Sequence, residues 1–524
     1  MSSRRRFIGL SAGATAGLAI PAGAVAYEQW EGERTGTVLP SRIRPPRQFA
    51  VPLPVPPRAR PTRSADGTDF YDLTQREAAV EIIPGLKTTI WGYDGVFPGP
   101  TFTARSGRRM HVRVLNKLRV PTSLHLHGGV TPPHSDGYPT DVLVPAQCGA
   151  EFKSRGMTHG NAGMHAPASD WTVSEGYKTY EYPMDQRATT LWYHDHRMDF
   201  SAPQVWRGLA GMLLVHDQEE DALPLPGGER DIPLMLCDRS FEEDGSFRYP
   251  GNSPSCTGTP GVEQAYMDGV LGDVQLVNGA PWPEAEVSAT RHRLRLLNAS
   301  NARRYHLVLR REDGSALPFV QIGSDGGLLA APQRLTGIAM APGERLDVVV
   351  DFTGCPVGSH VTLVNTLTDG RMRQVMRFRV ARKEKDTGSI PARLSRYAAL
   401  HPASAVATRH FDFRRSDDAW TINGRPFSTS ETLARPRLGT VERWRFTSDF
   451  HHPVHLHLAH FQVLSRGGRT PEPTDAGWKD TVDVRPYEVV DVLVRFRGYR
   501  GRYMLHCHNL EHEDMAMMAN FQVV

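Results

Sequence analysis

Four His-x-His pairs are the residues of this 524-residue chain whose types and spacing most clearly indicate chemistry. The pairs are His125 with His127, His194 with His196, His455 with His457, and His506 with His508. A chain with 22 histidines would contain about one such pair by chance. Residues i and i+2 of a β-strand point to the same face, so each pair presents two imidazoles side by side. The pairs therefore predict a cluster of several metal ions that two parts of the chain build together.

Segment 506–517, with the sequence HCHNLEHEDMAM, has a cysteine between the two histidines of the last pair. Strand alternation would send the Cys507 side chain to one face and the His506 and His508 rings to the other. The thiolate can then bind one metal while the flanking imidazoles bind others, and a few covalent bonds join the two sites. We expect this short path to conduct electrons between the sites.

Further residues are predicted to complete the metal site at Cys507, namely His452, His512 and Met517. Two imidazoles, a thiolate and a weak thioether are the ligands of a blue-copper electron-transfer centre. Zinc sites use more thiolates or keep a position open for water, and the usual zinc spacings are absent from the sequence. An iron–sulfur cluster would need more cysteines. Met515 and Met518 compete with Met517 for the weak axial position, and their alternative role is core packing.

The elements that must position these residues are predicted to be short β-strands joined by turns. Glycine (48) and proline (40) are plentiful, and long helical periodicity is scarce. A weak repeat occurs three times, in which a turn is followed by an alternating strand and later by an apolar strand. The turns are at 97–100, 278–281 and 423–426, and the closing strands are at 211–215, 375–380 and 519–524. The first and third copies contain a His-x-His pair where the second has only His306.

This repeat predicts an all-β chain of three related β-sandwich domains. Their expected bounds are 65–220, 221–382 and 405–524, with a linker at 383–404 between the second and the third. Residues 27–64 are rich in proline and arginine and are expected to form an extended strap. We expect the outer two domains to hold the metal ligands and the middle domain to act as a spacer.

Residues 1–26 resemble a twin-arginine export signal. The sequence SRRRFI at 3–8 is followed by a weakly apolar stretch and by small residues at 24–26 that suit cleavage. We therefore expect the twin-arginine machinery to export the protein to the periplasm, the cell surface or the medium. No other segment has 18 uninterrupted apolar residues, so no membrane-spanning helix is expected. The net charge of +4, with scattered arginines, gives no reason to expect nucleic acid as a partner.

Five cysteines do not make a disulfide scaffold in a chain of this length. Besides Cys507, the cysteines are Cys148, Cys237, Cys256 and Cys355, which allow at most two disulfides in a pairing that the sequence leaves open. Cys237 lies in an apolar run and is expected to be a buried thiol.

Four motifs resemble those of the multicopper oxidase family: HLHG at 125–128, WYHDH at 192–196, HPVHLH at 452–457 and the segment 506–517. The likeness covers most of the chain from about residue 65. Details such as GGVTP at 128–132 and SDGYP at 135–139 look like the bacterial branch of spore-coat laccases, bilirubin oxidases and phenoxazinone synthases. The resemblance implies three consecutive cupredoxin-like Greek-key β-sandwich domains. Residues 144–171 look like an insertion without an assigned role.

The resemblance also implies four copper ions, one of type 1, one of type 2 and two of type 3. The type 1 copper would be held by His452, Cys507, His512 and Met517. The type 2 copper would be held by His125 and His455, with a position left open for water. The type 3 pair would be held by His127, His194, His196, His457, His506 and His508. Acidic side chains near this cluster are implicated in proton supply in this branch, and the matching positions are Asp136 and Glu513, whose alternative role is structural.

The implied activity is that of a laccase, which couples one-electron oxidation of phenols or aromatic amines to four-electron reduction of O2 to water. The donor is expected to be oxidised near His452, as the ligand nearest the surface. One alternative is a metallo-oxidase of Cu(I) or Mn(II), although the 16 methionines are dispersed and do not suggest a methionine-rich cover. Another is a bilirubin-type tetrapyrrole oxidase.

Two further alternatives fit the sequence less well. A copper nitrite reductase is disfavoured by the third domain and by the full set of type 3 histidines. A structural protein with degenerate sites is disfavoured because all twelve ligand positions are intact. The expected partners are O2 and a small reducing substrate, and the expected oligomeric state is a monomer.

Overall fold

The computed structural model describes most of the chain, namely residues 35–149, 152, 170–251, 261–416 and 419–524. These residues form β-strands with few and short helices, which confirms the predicted all-β class. The predicted export signal and residues 27–34 of the predicted strap lie outside the described residues. None of the described helices combines the length and the apolar character needed to cross a bilayer.

The first sandwich consists of two sheets that pack face to face. The strands in this part of the chain are β1 (Thr37–Val38), β2 (Arg63–Ala65), β3 (Thr68–Val80), β4 (Thr88–Tyr93), β5 (Gly99–Arg105), β6 (Arg109–Asn116), β7 (Leu124–His127), β8 (Asp141–Val144), β9 (Thr172–Glu175), β10 (Tyr177–Tyr182), β11 (Thr189–Asp195) and β12 (Ala210–His216), with helices α1 (Ser201–Trp206) and α2 (Gln218–Asp221). One sheet has the order β10-β6-β3-β2, with β4 beside β3, and the other has the order β5-β12-β11-β7. Val114, Leu126 and Leu213 belong to the core between them.

The second sandwich has the larger sheets. Its strands are β13 (Asp231–Phe241), β14 (Phe247–Arg248), β15 (Val270–Leu271), β16 (Val274–Val277), β17 (Ala280–Pro281), β18 (Glu284–Ser288), β19 (Arg291–Asn298), β20 (Tyr305–Arg311), β21 (Ala316–Leu317), β22 (Phe319–Ser324), β23 (Gly327–Leu335), β24 (Ile338–Met340), β25 (Arg345–Asp351), β26 (His360–Asn365) and β27 (Gln374–Arg382). One sheet has the order β17-β16-β13-β19-β25-β22-β23, with β14 beside β13. The other has the order β18-β27-β26-β20-β21, with β24 beside β20.

The third sandwich contains the segment with the cysteine. Its elements are β28 (Ala405–Ser416), β29 (Ala419–Ile422), β30 (Val441–Ser448), β31 (His452–Leu456), β32 (His460–Arg466), β33 (Thr481–Val484), β34 (Val489–Arg495), β35 (Gly501–Cys507), α3 (Leu510–Asp514) and β36 (Met518–Val523). The sheets have the orders β29-β28-β30-β34-β32 and β33-β31-β35-β36. Phe446, Leu456 and Cys507 lie in the core between the two sheets.

The three sandwiches share one connectivity, as the sequence repeat predicts. The first long strand of each sandwich pairs in parallel with the alternating strand of its repeat: β3 with β6, β13 with β19, and β28 with β30. The closing strand also pairs in parallel with the strand after the turn, β12 with β5 and β27 with β18. In the third sandwich a parallel bridge between Ala434 and Phe521 occupies the corresponding position.

Three strands that present His-x-His pairs are buried along their whole length, unlike β6 and β30. β6 and β30 alternate between buried and more exposed residues, as strands with one covered face do. Every residue of β7, β11 and β31 is buried. Each of these three strands is therefore covered on both faces, and any metal held between them would be shielded from water.

The predicted strap and linker are both extended. β1 pairs in parallel with β15, and the Phe49 and Leu53 amides donate to the carbonyls of Trp282 and Glu284, each at 2.8 Å. The Ala59 amide donates to the carbonyl of Thr101 at 2.9 Å. The strap thus satisfies backbone groups on the second sandwich and then on the first. Residues 383–401 contain no helix or strand, as expected of a linker.

Candidate metal centre

Two adjacent strands of the first sandwich present two of the His-x-His pairs. β7 and β11 are antiparallel, with His125 directly opposite His194. His127 ends β7, and His196 follows the end of β11. All four rings are fully or almost fully buried, and the ring centroids of His125 and His194 are 5.4 Å apart.

Two adjacent strands of the third sandwich present the other pairs. In the ladder between β31 and β35, His455 lies opposite His506 and Val454 lies opposite Cys507. The His506 ring lies 4.8 Å from the His196 ring of the first sandwich, whereas the Cys507 side chain lies in the core of the third. The alternation expected for this strand is present, so one strand contributes to two separate donor groups.

The first donor group is a triangle of two imidazoles and one thiol. Sγ of Cys507 lies 3.4 Å from Nδ1 of His452 and 3.5 Å from Nδ1 of His512. The two Nδ1 atoms are 3.1 Å apart, and all three residues are completely buried. The Asn509 amide donates to the sulfur at 3.4 Å. We call these three side chains the thiolate site.

The three methionines of segment 515–518 differ in their surroundings. Met517 is completely buried in the same core as Cys507, and its carbonyl accepts a hydrogen bond from the Cys507 amide at 3.1 Å. Met515 belongs to the same core and is buried but slightly more accessible, at 7% exposure, and Met518 packs in another cluster with Tyr138. Burial and position therefore favour Met517 as the axial thioether.

The outer nitrogens of the two histidines in the thiolate site contact neighbouring groups of the protein. Nε2 of His512 lies 3.2 Å from the carbonyl oxygen of Asp268, and Nε2 of His452 lies 3.6 Å from a carboxylate oxygen of Asp449. Trp420 stacks on His512 with ring centroids 3.8 Å apart. Both rings are completely buried, so exposure does not distinguish His452 from His512, and the position of His452 as the ligand nearest the surface stays a prediction.

The eight histidines of the four His-x-His pairs form a second group, which we call the histidine cluster. Within it, Nε2 of His125 and Nε2 of His455 face each other at 3.5 Å. Their Nδ1 atoms point away, 2.6 Å from the carbonyl oxygen of Asp136 and 2.9 Å from that of Asp480. The backbone contacts thus leave both Nε2 atoms available to one shared ion.

Three further rings of the cluster converge through their Nε2 atoms. Nε2 of His506 lies 3.3 Å from Nε2 of His196 and 3.1 Å from Nε2 of His457. Nδ1 of His506 lies 3.0 Å from the carbonyl oxygen of Cys507. Imidazole nitrogens this close to one another have the arrangement of metal ligands.

The last three rings of the cluster have buried nitrogens without any hydrogen-bond partner. They are Nδ1 of His127, Nε2 of His194 and both ring nitrogens of His508. The other nitrogens of His127 and His194 are engaged, the latter 2.9 Å from the carbonyl of Asp195. A buried polar atom without a partner costs about 1–3 kcal/mol. A metal ion would remove that cost.

Burial keeps most of these imidazoles neutral. It lowers the pKa of His196 and of His455 to about 3, and it lowers the pKa of His127 well below the ordinary value. Neighbouring rings contribute in the same direction to all three. A neutral imidazole has a free lone pair, which is the form that binds a metal.

Asp136 contacts two of the ligand rings on the sides that face away from the cluster. One carboxylate oxygen lies 2.8 Å from Nδ1 of His457, and the other lies 3.3 Å from Nδ1 of His125. The carboxylate is almost completely buried. It can therefore fix the orientation of both rings and can also hold a proton beside them.

Glu513 occupies the corresponding position behind two other rings. Its carboxylate oxygens lie 3.4 Å from Nδ1 of His196 and 3.2 Å from Nδ1 of His506. Burial would raise the pKa of Glu513, but the two neighbouring rings outweigh burial and lower the pKa below the ordinary value. Asp195 accepts hydrogen bonds from backbone amides and from Gln204, which indicates a structural role.

Two contacts behind the cluster were not predicted from the sequence. Nε2 of His127 lies 3.0 Å from a carboxylate oxygen of Asp480 and 3.0 Å from Oγ1 of Thr481. Arg345 of the second sandwich donates to both carboxylate oxygens of Asp480, at 2.6 and 2.5 Å. Burial would raise the pKa of Asp480, but Arg345 lowers it well below the ordinary value, so the pair is ionised.

This ion pair changes the interpretation of the middle sandwich. Arg345 is completely buried and also donates to the carbonyls of Thr190 and Asp325, at 3.0 and 3.1 Å. It therefore joins all three sandwiches, and a spacer role alone does not describe the middle one. No motif could have revealed the contact, because Arg345 and Asp480 are 135 residues apart and neither belongs to a recognisable pattern.

The donor sets fit copper. A trigonal arrangement of two imidazoles and a thiolate, with a methionine nearby, selects copper over zinc, and imidazoles alone suit a cluster of copper ions. Burial raises the pKa of Cys507 well above the ordinary value, so its thiolate needs a bound cation. The unpartnered nitrogens of the cluster need one as well.

Cys507 is not part of a disulfide, so its sulfur is available to bind a metal ion. Cys237, Cys355 and Cys507 are free, buried thiols, which agrees with the buried thiol expected at Cys237. Cys148 is disulfide-bonded. Cys256 and most of the predicted insertion at 144–171 lie outside the described residues.

Comparison with known proteins confirms the family. Two family models described as multicopper oxidase match the chain, one at residues 400–524 and one at residues 74–166 and 149–220. The laccase of Bacillus subtilis is 33% identical, over 90% of this chain and 97% of its own length. The bilirubin oxidase of Albifimbria verrucaria is 34% identical, over 90% of this chain and 81% of its own length.

Solved structures agree with these relatives. The crystal structure of a laccase from Pediococcus acidilactici superposes with a TM-score of 0.77 and 30% identity, over 93% of this chain and 95% of that chain. The fold, three consecutive cupredoxin-like sandwiches, is therefore that of such enzymes. The chain binds copper, as its donor sets and its relatives indicate.

Proposed function

Because the chain belongs to the multicopper oxidase family, we propose that it oxidises phenols or aromatic amines and passes their electrons to dioxygen. Its function is that of a laccase-like multicopper oxidase, an oxidoreductase with oxygen as the acceptor. Membership of the family does not by itself identify the electron donor. We propose phenols or aromatic amines because several of the similar proteins are laccases.

One strand carries the proposal. On β35, Sγ of Cys507 lies within 3.5 Å of both Nδ1 atoms of the thiolate site. On the same strand, Nε2 of His506 lies 3.1 Å from Nε2 of His457 in the histidine cluster. Cys507 and His506 are adjacent in the chain, so one peptide unit and two side chains connect the two donor groups.

Four copper ions per chain are proposed, with one in the thiolate site, where Met517 would be the axial ligand. His125 and His455 would hold a second ion. Two more would be held by the other six rings of the cluster, namely His127, His194, His196, His457, His506 and His508. Bound copper supplies one-electron chemistry at the thiolate site and oxygen reduction at the cluster. The chain itself supplies neutral imidazoles, a buried thiol and a site closed to water.

Asp136 and Glu513 are proposed to hold protons next to the cluster. Both carboxylates are buried against Nδ1 atoms of ligand rings, and both oxygens of Glu513 have no hydrogen-bond partner among the described residues. A carboxylate in such a position can accept a proton and donate it again without moving its neighbours. Their contacts support a role in orienting the rings equally well.

The decisive experiment is a copper count and a visible spectrum of the purified, copper-loaded protein, followed by oxygen uptake with a panel of donors. We expect four coppers per chain, the blue colour of a thiolate-bound copper, and uptake with phenols or aminophenols. Bilirubin, Cu(I) and Mn(II) complete the panel. A count below four, or uptake with none of the phenols and aminophenols, would contradict the proposal.

Oxidation of a bilirubin-type tetrapyrrole is the second candidate function. The observation in its favour is the 34% identity to a bilirubin oxidase over 90% of this chain. In the same panel, a kcat/KM for bilirubin above that for every phenol would make it the leading candidate.

Export by the twin-arginine route is proposed from residues 3–8. The disulfide at Cys148 supports it, because disulfides persist mainly in oxidising compartments. Replacing Arg4, Arg5 and Arg6 together by lysine should leave active enzyme inside the cell, and unchanged export would argue against this route. A monomeric state stays a prediction, which sedimentation would test.

A further inference from the structure

A basic cavity lies where the three sandwiches and the linker meet, and neither the thiolate site nor the histidine cluster includes it. Its volume is about 210 Å³. Arg187 comes from the first sandwich, Gly326 from the second, Arg396 from the linker, and Arg495 and Arg497 from the third. The cavity therefore exists only when all parts of the chain have assembled.

The arginines of this cavity have little negative charge around them. Within the described part of the chain, the guanidinium groups of Arg396, Arg495 and Arg497 make no ion pair and no hydrogen bond. Arg187 has a long ion-pair contact of 3.7 Å to Glu219, and its Nη1 is buried without a hydrogen-bond partner. Four guanidinium groups thus share one small cavity without an equal number of carboxylates.

The positive charges that line the cavity act on one another. Arg495 ends β34 and Arg497 follows two residues later; both are exposed, lie on either side of the buried Phe496 and line the cavity. Burial lowers the pKa of Arg497. Asp185 raises this pKa, whereas the positive charges of Arg495 and Arg187 lower it further. Repulsion of this kind is relieved when an anion binds between the positive charges.

The other walls favour a small polar ligand. His460 is buried, and its Nε2 lies 3.0 Å from the carbonyl oxygen of Gly128. Burial lowers the pKa of His460 to about 4, so the ring is neutral near pH 7. Trp478 adds an aromatic surface, and none of the described residues that line the cavity is acidic. The arginines therefore decide the charge of what can bind.

We propose that this cavity is a binding site for a small oxyanion with at least two negative charges, such as phosphate or a dicarboxylate. Guanidinium groups bind phosphate and carboxylate oxygens through paired N–H···O hydrogen bonds. The volume is below the roughly 300–1,000 Å³ of pockets for drug-sized ligands, which restricts the ligand to a small ion. A bound anion would link the linker, the first sandwich and the third.

Titration calorimetry of the full-length, copper-loaded protein tests the proposal. Inorganic phosphate and succinate are titrated separately at constant ionic strength, so that the two kinds of oxyanion are distinguished. The pocket variant combines Arg495→Gln with Arg497→Gln. We expect wild type to bind at least one of the two ions, and the pocket variant to bind it at least about tenfold more weakly.

The matched control also removes two arginine charges, but from positions far from the cavity. The two positions belong to β23 and to the turn after β32, elements whose opposite ends adjoin the cavity residues Gly326 and His460. Arg334 lies near the end of β23 that is far from Gly326, and Arg469 follows the end of β32 that is far from His460. Both side chains are exposed. The variant with Arg334→Gln and Arg469→Gln should bind the ion as wild type does. Equal weakening in both variants would overturn the proposal, because it would reflect net charge alone.

Thermal unfolding gives a second measurement that does not depend on heats of binding. A ligand that binds only the folded state raises Tm with its concentration. The ion that binds wild type should raise its Tm, and the rise should shrink in the pocket variant. If that variant does not fold, Arg396→Gln on the linker replaces it. Absence of binding and of any Tm rise in wild type with both ions would refute the site.

Discussion

The two donor groups of this chain differ in how much of the fold each requires. The thiolate site is built within one sandwich, from β31, β35 and α3. The histidine cluster needs two strands of the first sandwich, two strands of the third, and Arg345 of the second behind one of its rings. The three donors of the first group therefore come from one domain, with one contact from His512 to Asp268 of the second, whereas the second group depends on the assembly of all three.

The middle sandwich has the same architecture but contributes to the cluster in a different way. At the position of the His-x-His pairs it has only His306, whose Nδ1 lies 2.6 Å from Oγ1 of Thr366. That histidine serves a local hydrogen bond. The contribution of the middle sandwich to the cluster is instead a charge, because Arg345 holds the carboxylate that contacts His127.

The largest effect is expected from removing the thiol of the thiolate site, which lies next to His506 of the histidine cluster in the chain. Cys507→Ser should abolish the blue colour and reduce oxidase activity by more than the roughly 10–100-fold that a partner outside the ligands costs. Cys237→Ser, at another buried free thiol, should keep both. Absorption spectra and oxygen uptake measure these outcomes, and a Cys507 variant that stays blue would remove the basis of the comparison.

Breaking the ion pair between Arg345 and Asp480 should affect the histidine cluster but not the thiolate site. Arg345→Met leaves the buried Asp480 carboxylate without its partner, which we expect to cost about 3–5 kcal/mol of stability and to lower the copper content of the cluster. The blue colour should persist, because the thiolate site does not involve Arg345. Copper analysis, spectra and denaturant unfolding test this.

The control for that variant is Arg466→Met, which breaks another buried, doubly hydrogen-bonded pair, with Asp475. We expect a similar loss of stability with full copper content. If both variants lost copper alike, the loss would reflect stability alone, and the proposed dependence of the cluster on the middle sandwich would be wrong.

A smaller effect is expected at the carboxylate behind the cluster. Glu513→Gln should slow reoxidation by O2 by roughly 10–100-fold and leave anaerobic reduction of the thiolate site unchanged. Glu511→Gln is the matched control on α3, because Glu511 is buried but contacts Tyr249 and Asn301. Stopped-flow absorption separates the two half-reactions. Equal rates of wild type and the Glu513 variant in both would leave Glu513 a structural role only.

The smallest effect is expected at the axial position of the thiolate site. Met517→Leu should keep the blue colour and raise the reduction potential, because a weaker axial ligand favours Cu(I). A rise on the order of 60 mV would correspond to a tenfold change in the one-electron equilibrium. Met515→Leu should leave the potential unchanged. A redox titration in which only the Met515 variant shifted would transfer the axial role to that residue.

The sequence predicted the thiolate site and the cluster residues because local periodicity determines them. Alternation along β35 is enough to separate Cys507 from His506 and His508, and the repeat indicates which sandwiches hold the pairs. The complete burial of His452 was not predicted, because burial depends on residues such as Asp449 and Phe413 that lie outside β31. The contact of Arg345 with Asp480 was missed for the same reason.

The strap also makes the order of synthesis matter. Leu53 donates to Glu284, which is 231 residues further along the chain (284 − 53). At roughly 5–20 residues per second, the ribosome needs on the order of 12 to 46 s to deliver that partner after Leu53 emerges. During this time the segment around Leu53 lacks its docking surface on the second sandwich. The strap can therefore dock on the middle domain only after that domain has been synthesised and folded.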